Sequence, residues 1–574
     1  MDENLYLVFD KSNLKRNFKN KVALFTLNEF ILTNLEKKSY YNIFPDPIKT
    51  SLNSKNLIIK TREAKYKIIQ NLKSLYLFNR IKDLDELLEP ILEIKLSRFY
   101  YLEDIIPNYK KYTLLHNRKE IIYDSKFELI LAIDSIYCEE KTRPIEFFTK
   151  FFKFKYSLYY KILLNIQKRL INRLVKSNKK EINFFSDKEA YFIKNLKFKI
   201  KNDKNIILYY LPTNSLLRII FLLIEQFYKC IFNKNIDEIG IFLLPDNKYN
   251  FDYLKISKNI KEFFIEDLEK KYSEYLIKQL YFFLLNTLSF KKYLLKIFKT
   301  IKIKNAYFHS IRFPDLFALS RVLIDLNNNV NLISHGTHTY QKNNTANKIA
   351  SISMGIGQSF SNEKRINLLS QSRYCDEYLD SMNFSFKKIN RLINGNLKPF
   401  RKINSKRRNR KTKILCIGTV KHLGARRYYF ESSGEYIAGI HYIYSKLKKY
   451  EKDFEIIIRI RDVRYEINKN ILNNAIRDKD NLIKISNINS IYDEIKNSDC
   501  IISFSSTTLE EGLLMNKPVM CFGLSEYNHF KFYENENINS INNFENKNLR
   551  IIEENLGRKF IFKDNIQRKI DYKF

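Results

Sequence analysis

Residues Ser498–Gly523 read SDCIISFSSTTLEEGLLMNKPVMCFG, and this stretch decides the fold. Cys500–Phe504 is a short apolar run bounded by polar residues, the pattern of a buried strand. Four hydroxyl residues follow, Ser505, Ser506, Thr507 and Thr508. A helical pattern then runs from Thr507 to Met515, and Pro518–Phe522 is a second apolar run. Asn516 stands at the helix end, where a residue with left-handed backbone is wanted and asparagine is tolerated. A strand, a helix and another strand within 26 residues form one βαβ unit, which requires parallel strands.

The alternation continues outward. Upstream, Lys413–Val420 reads as a strand, Gly434–Tyr450 as a helix, Phe454–Ile460 as a strand and Glu466–Asp478 as a helix. Leu482–Ile485 is a short strand and Ser490–Asn497 a helix. Strands and helices alternating at this spacing imply a parallel sheet covered by helices on both faces. No repeat with a period of 20–50 residues is present.

Ligands of such sheets bind beyond the carboxyl ends of the strands. Three segments of this unit fall there. A helix opening at Thr507 offers unpaired N–H groups to phosphate oxygens, and the hydroxyls of Ser505, Ser506, Thr507 and Thr508 add donors without charge. The competing reading is a helix cap, with Ser506 or Thr507 at the first position; it accounts for one hydroxyl well and four poorly. Gly418 and Gly424 bracket the loop after the first strand, the place of a phosphate-facing turn, although the spacing is not GxGxxG. Phe454–Tyr465, FEIIIRIRDVRY, brings Arg459, Arg461 and Arg464 toward the same edge, where guanidinium forks suit a diphosphate. Solvated charges on a strand explain them equally.

A fourth segment lies earlier. Ala306–Ser310 reads as a strand, Pro314–Leu326 as a helix with proline in its first turn, and Val330–Ser334 as a strand running into His335-Gly336-Thr337-His338. An imidazole beside a glycine is accessible, and its ordinary pKa near ~6.5 suits a general base. His335 is the first candidate and His338 the second. A histidine in a turn is more often structural when taken alone.

The rest of the chain is less explicit. Leu5–Phe9, Val22–Leu27 and Phe127–Ile133 are strand candidates in the first 140 residues. Ile145–Thr300 reads as mostly helical, interrupted by strands at Ile206–Leu211 and Ile239–Leu244. Asn394–Arg410, NGNLKPFRKINSKRRNR, is basic and turn-rich, as an interdomain linker is. The expected partition is therefore 1–393, a linker at 394–412, a unit at 413–540, and a tail at 541–574 that returns to the N-terminal unit.

Composition sets bounds on partners. At 574 residues, 45% hydrophobic and 15% aromatic, the chain can build several cores. The net charge of +38 accompanies abundant Lys, Asn, Ile, Tyr and Phe, a bias that an AT-rich genome produces by drift. A basic surface of any origin attracts anionic donors and lipid surfaces. No zinc-finger, RNA-recognition or helix-turn-helix pattern accompanies it, so no specific nucleic-acid partner is expected. The six cysteines form no CxxC pair and complete no zinc site with the histidines, which points to a reducing compartment and to no metal centre. The N-terminus lacks the pattern of a signal peptide. The greasiest segment, Ser215–Phe232, carries Arg218, Glu225 and Lys229 and is read as an amphipathic or buried helix, not a spanning one. A cytoplasmic protein, peripheral on the inner face of the membrane, is the expectation.

With these residues in view, Ser498–Gly523 resembles the nucleotide-binding signature of the GT-B glycosyltransferases: a Ser/Thr-rich loop, a glutamate, and a later Asn-Lys-Pro-Val turn. Glu511 stands where that signature usually has a small residue. HSIRFPDLFALSRVL followed by a strand and His-Gly resembles bacterial surface-polysaccharide (capsule and lipopolysaccharide) transferases. His-Gly-Thr is also similar to the motif of polyol-phosphate polymerases of the teichoic acid type. The resemblance covers about Ile301–Phe530. It implies an α/β fold with two Rossmann-like domains, the N-terminal one enlarged by a mostly helical insertion at about 145–300. It implies an enzyme that moves a sugar from a nucleotide-sugar donor to an oligosaccharide or lipid-linked acceptor, without a bound cofactor. Ser505, Ser506, Thr507 and Thr508 would then hold donor phosphates, Glu510 the ribose hydroxyls, and His335 would be the base. Arg461-Asp462 replaces the His-Pro pair of related sialyl- and Kdo-type transferases, which argues against a CMP-linked donor. A CDP-alcohol-dependent polyol-phosphate transferase and a non-catalytic polyanion- or nucleic-acid-binding protein are the alternatives.

Overall fold

The computed structural model describes residues 4–8, 22–26, 41–44, 54–74, 84–116, 118–136, 165–172, 181–186, 205–210, 221, 224–225, 228, 238–241, 276, 280, 290–299, 301–308, 311, 314–333, 366–369, 411–418, 433–460, 482–486, 490–503, 506, 508–522 and 547–560. The α/β class and the parallel sheets are as the alternation requires. Among the described residues there are three sheets, each built on the same strand order.

The first sheet contains β1 (Asn4–Val8), β2 (Val22–Thr26), β3 (Tyr41–Phe44), β4 (Lys111–His116) and β5 (Lys119–Tyr123), ordered β3-β2-β1-β4-β5. All neighbours are parallel except the hairpin β4–β5. Helices α1 (Ser54–Ser74) and α2 (Leu84–Ile105) lie between β3 and β4 in the chain and contact each other. Residues 126–136 are helical, which corrects the strand expected at Phe127–Ile133. Their buried positions are Phe127, Leu129, Ile130, Ile133 and Asp134, a helical period. Ser125 accepts the Glu128 N–H at 3.2 Å, half of a capping box that was present in the sequence. Asp134 is buried and binds Lys95 at 2.9 Å and Arg98 at 2.6 Å, which ties this helix to α2.

The second sheet contains β6 (Glu181–Phe185), β7 (Asn205–Tyr210), β8 (Glu238–Ile241), β9 (Asn305–Phe308), β10 (Asn329–Ile333) and β11 (Ile366–Leu369). Its order is β11-β10-β9-β6-β7-β8, all parallel. Numbered within the unit, this is 3-2-1-4-5-6, the doubly wound dinucleotide-fold order. Phe184 sits against Phe298 and Phe308, each with ring centroids at 5.9 Å, and Phe185 stacks on Tyr307 at 5.1 Å. Helix α3 (Pro314–Asp325) joins β9 to β10 as expected. Of the stretch read as a helical insertion, residues 165–172 and 290–298 are helical, while 181–185, 205–210 and 238–241 are strands of this sheet; most of the remainder lies outside the described residues.

The third sheet contains β12 (Thr412–Gly418), β13 (Phe454–Ile460), β14 (Ile483–Ile485), β15 (Cys500–Ser503) and β16 (Val519–Cys521), ordered β14-β13-β12-β15-β16 and all parallel. Helices α4 (Ser433–Leu447), α5 (Ile491–Asn497), α6 (Thr508–Leu514) and α7 (Lys547–Leu556) cover it. One face buries Tyr436, Ile440, Ile443 and Leu447 of α4 with Leu549, Ile552 and Leu556 of α7. The other buries Ile495 of α5 with Leu509 and Leu513 of α6. Of the stretch read as a tail, residues 547–560 are described, and α7 packs in the core of this unit against α4. Within the stretch 1–393, read as one unit, the described residues form two sheets: β1–β5 make up one and share no strand with the other.

The chain is poor in glycine and ends two helices on asparagine. Asn327 (φ 58°) follows α3 and Asn516 (φ 61°) follows α6. In both, the next residue's N–H reaches back to form the longer bond of a Schellman motif, Asn328 to Leu323 O at 3.0 Å and Lys517 to Gly512 O at 2.9 Å.

Candidate functional site

In the order 3-2-1-4-5 the strand sequence reverses between β12 and β15. The helix after β12, α4, goes to one face, and the helix after β15, α6, goes to the other. In open α/β sheets ligands bind beyond the carboxyl ends of two strands whose following helices diverge in this way. Two of the sequence-predicted segments, the Gly418 turn and the Ser/Thr cluster, stand on these two strands.

Gly418 is the last residue of β12. A Cβ there would lie 2.4 Å from two ring carbons of Tyr436, so the glycine lets this buried ring cover the strand end. The Tyr436 hydroxyl donates to Cys416 O at 3.2 Å, with Arg459 O at 3.4 Å, and so spans the ends of β12 and β13. This packing is one sufficient reason for the glycine.

At the end of β15, Ser503 donates to Ile417 O at 2.9 Å across the switch point and accepts the Ser506 N–H at 3.0 Å. Ser506 in turn accepts the Thr508 N–H at 3.2 Å and shares a 2.9 Å hydrogen bond with the Thr508 hydroxyl. Leu509 N–H bonds to Ser506 O at 3.3 Å. Ser506 is thus the cap of α6, and Ser506 and Thr508 are both buried. The capping reading accounts for these two hydroxyls. Ser503, which the sequence reading passed over, is the hydroxyl that fastens the turn to β12; its signal was a lone hydroxyl inside the apolar run Cys500–Phe504. Ser505 and Thr507 lie outside the described residues. Glu510 is in the first turn of α6, and its side chain is outside the described set.

Gly512 sets how closely α6 approaches the sheet. A Cβ on it would lie 2.4 Å from Ile501 Cδ1 and 2.8 Å from Val519 Cγ1. The Asn-Lys-Pro-Val turn then has a physical reason as well. Lys517 is buried, and its Nζ donates to Ser498 O at 2.6 Å and Lys496 O at 3.2 Å. It places a cation on the carbonyl end of α5.

Arg459 lies in the carboxyl-terminal half of β13, in register with Ile417. Its guanidinium meets Glu494 at 3.3 Å, and the same buried carboxylate accepts a hydrogen bond from Ser486. Part of the fork therefore fastens α5 to the sheet. Arg461, His335 and His338 lie outside the described residues. By sequence, His335 follows the last residue of β10 by two positions. Cys416, Cys500 and Cys521 are buried free thiols. Burial pushes the Cys416 thiol up to about 12 and Cys500 well above its ordinary value, so neither is a nucleophile near neutral pH.

No protein-family model matches the chain, and no curated protein does. It is similar to solved structures of glycosyltransferases and epimerases. The UDP-GlcNAc 2-epimerase from Neisseria meningitidis bound to UDP-GlcNAc is 13% identical, over 60% of this chain and 82% of that one, with a TM-score of 0.30. A glycosyltransferase from Rickettsia africae is 16% identical, over 59% and 79%, with a TM-score of 0.30. The lipopolysaccharide outer core galactosyltransferase WaaB is 10% identical, over 59% and 79%, with a TM-score of 0.29. These overlaps are loose, and the architecture described above rests on the strand orders and registers themselves.

Proposed function

We propose that the chain is a glycosyltransferase that takes a nucleotide-sugar donor at the carboxyl edge of the third sheet. The observation that carries this reading is the coincidence of two independent features. Sequence alone marks Gly418 and Ser505–Thr508 as phosphate-facing, and the strand order puts the ends of β12 and β15 side by side at the point where the sheet reverses. The Ser503–Ile417 bond holds the two edges together. In this reading Ser505 and Thr507 face the donor phosphates, while Ser506 and Thr508 build the turn that presents them. Glu510 accepts the ribose hydroxyls as a charge-assisted pair. Arg461 stabilises the charge that develops on the leaving phosphate.

The acceptor, an oligosaccharide or a lipid-linked one, belongs to the second sheet, and His335 takes its proton as the hydroxyl attacks the anomeric carbon. The strand order of that sheet supports the assignment, since β10 ends two residues before His335 and neighbours β9, one of the two strands at its reversal point. A surface polysaccharide is the proposed product class.

The test is a thermal-shift panel of UDP, CMP, GDP, CDP and ADP, with UDP-GlcNAc added because one of the similar structures binds it. A ligand that binds only the folded state raises the midpoint. One nucleotide is expected to raise it, and Glu510→Ala to abolish the rise. No rise with any of them would sink the reading. His335→Ala should keep the rise and lose transfer; turnover retained in that variant removes the base assignment. Product analysis with the nucleotide that binds separates sugar transfer from polyol-phosphate transfer and from epimerisation.

A further inference from the structure

We infer that β5 is a docking edge for a second copy of this chain, joined antiparallel across a two-fold axis into one continuous sheet. β5 (Lys119–Tyr123) is the last strand of the first sheet, and among the described residues no strand pairs with its outer side. Its neighbour β4 is covered on both faces, with Tyr112, Thr113, Leu114 and Leu115 all buried. That cover stops at β4. Lys119, Glu120, Ile121 and Ile122 are exposed, although successive side chains of a strand point to opposite faces. Ile121 and Ile122 stand 42% and 60% exposed, the only large hydrophobics left exposed among the described strand residues. Edge strands are ordinarily blunted by proline, a bulge or a central lysine. β5 has no proline, its lysine is at its end, and its pairing with β4 runs unbroken from His116↔Lys119 to Tyr112↔Tyr123.

Charge along the strand selects the occupant and its register. In sequence, Asn117 and Arg118 alone connect the paired His116 and Lys119, and Arg118 has a φ of 62°, as a tight hairpin turn requires. The pair that closes such a turn exchanges backbone hydrogen bonds, and bonded pairs alternate from there. Residues 119, 121 and 123 therefore turn their N–H and C=O groups to β4, while 120 and 122 turn theirs outward. Because bonded and non-bonded pairs alternate, a two-fold axis has to pass between a residue and its own copy. Near the middle of the strand that residue is Glu120, Ile121 or Ile122. Glu120 on the axis sets two carboxylates face to face. Ile122 on the axis sets Glu120 opposite Asp124 of the other copy. With Ile121 on the axis no like charges meet. Ile121 then packs on its copy at a non-hydrogen-bonded position, where side chains approach most closely. Glu120 exchanges backbone bonds with Ile122, Lys119 brings its ammonium to the Tyr123 ring, and Arg118 meets Asp124. Arg118 and Asp124 are both exposed, and neither has an ion-pair partner among the described residues. A strand complementary to itself in this way fits a second copy.

This inference does not rest on the proposed donor site, and its test needs no activity. A contact of one short strand on each side is small, so the full chain should pass from one copy to two between about 0.1 and about 50 µM in sedimentation velocity. Arg118→Asp sets carboxylates opposite each other at both ends of the contact, and Asp124→Arg sets guanidiniums there. Either should weaken association about tenfold. The double variant, Arg118→Asp with Asp124→Arg, restores opposite charges and should associate as the wild type does. Both side chains are exposed, so circular dichroism should be unchanged in all three. Ile121→Cys places a thiol opposite its own copy, within disulfide reach, and should give more covalent dimer on mild oxidation than the wild type; Ile122→Cys, opposite Glu120, should not. Four outcomes overturn the inference. The chain stays single over the whole range, which leaves β5 to another protein or to solvent. The single reversals associate as the wild type does, so the contact lies elsewhere. The double variant stays as weak as the single ones, so Arg118 and Asp124 do not meet. The two cysteine variants cross-link equally, so Ile121 is not on the axis.

Discussion

At the scale of single residues, two glycines are held by what lies against them. Gly418→Ala drives a methyl into the Tyr436 ring, which cannot swing away without losing its bonds to Cys416 O and Arg459 O. The expected cost is about 1–3 kcal/mol, the range of an overpacked core. Native-state hydrogen exchange should show it as lost protection in β12 and α4. Unchanged protection together with weaker nucleotide binding would assign the glycine to ligand approach and leave packing aside. Ser506→Ala removes a cap, with an expected loss of about 1 kcal/mol in α6. The same exchange measurement reads it, and an unaltered α6 would mean that Thr508 takes over the cap. The sequence marked the hydroxyl cluster and could not apportion it. Which hydroxyls are structural depends on Ser503 reaching across to Ile417, a contact 86 residues away along the chain.

At the scale of elements, α5 and α6 are secured by charges that the sequence shows only as composition. Lys517→Met keeps the apolar stem and withdraws the ammonium from Lys496 O and Ser498 O. A loss of about 1–3 kcal/mol is expected for carbonyls left without a donor, seen as earlier melting of α5; an unshifted α5 would show that water replaces the lysine. Across the three strands β12, β13 and β14, Glu455 lies between Lys413 and Lys484. Burial raises its pKa, but the hydrogen bond and charge of Lys484, with those of Lys413, outweigh this and hold the carboxyl below its ordinary value. A depressed folded pKa stabilises above the unfolded value, near ~4.3, and that stabilisation is lost as pH falls through the folded one. Glu455→Gln should therefore weaken β13 at pH 7 and differ little from the wild type at the acid end; a gap of constant size would remove the ion pairs as its cause. Elements with a long, clean period were legible, and Phe454–Ile460 has the bounds read from the sequence. Phe127–Ile133 was not, because its apolar residues are dense enough to fit a strand, and only the Ser125–Glu128 cap distinguishes the helix.

At the scale of the whole molecule, the doubly wound order was legible where strands and helices alternate at short spacing, from Lys413 onward. It was hidden upstream because the strands there are short and widely separated. β4 and β6 are both interior strands of their sheets, yet neither is marked by a glycine turn or a motif. The third unit reaches past its last strand. Removing residues 547–574 strips Leu549, Ile552 and Leu556 from the core on α4. Truncation there is expected to destabilise the third sheet selectively, with exchange in the first two unchanged. Equal loss in all three would mean that α7 supports the molecule as a whole.

The recurrent strand order also has a consequence for synthesis on the ribosome. In each unit the first strand made becomes a central one, and one of its edges waits for a strand translated much later. Asn4 meets Thr113 after 109 residues, Asn183 meets Asn305 after 122, and Ile417 meets Ser503 after 86. At about 5–20 residues per second, β6 stands with one unpaired, apolar edge for roughly 6–24 s of elongation. An open strand edge is a template for wrong partners, so this chain meets three such windows in succession, the second being the longest. Translation speed across residues 186–304 and the supply of chaperones that shield nascent strands therefore set how much of it reaches the folded state.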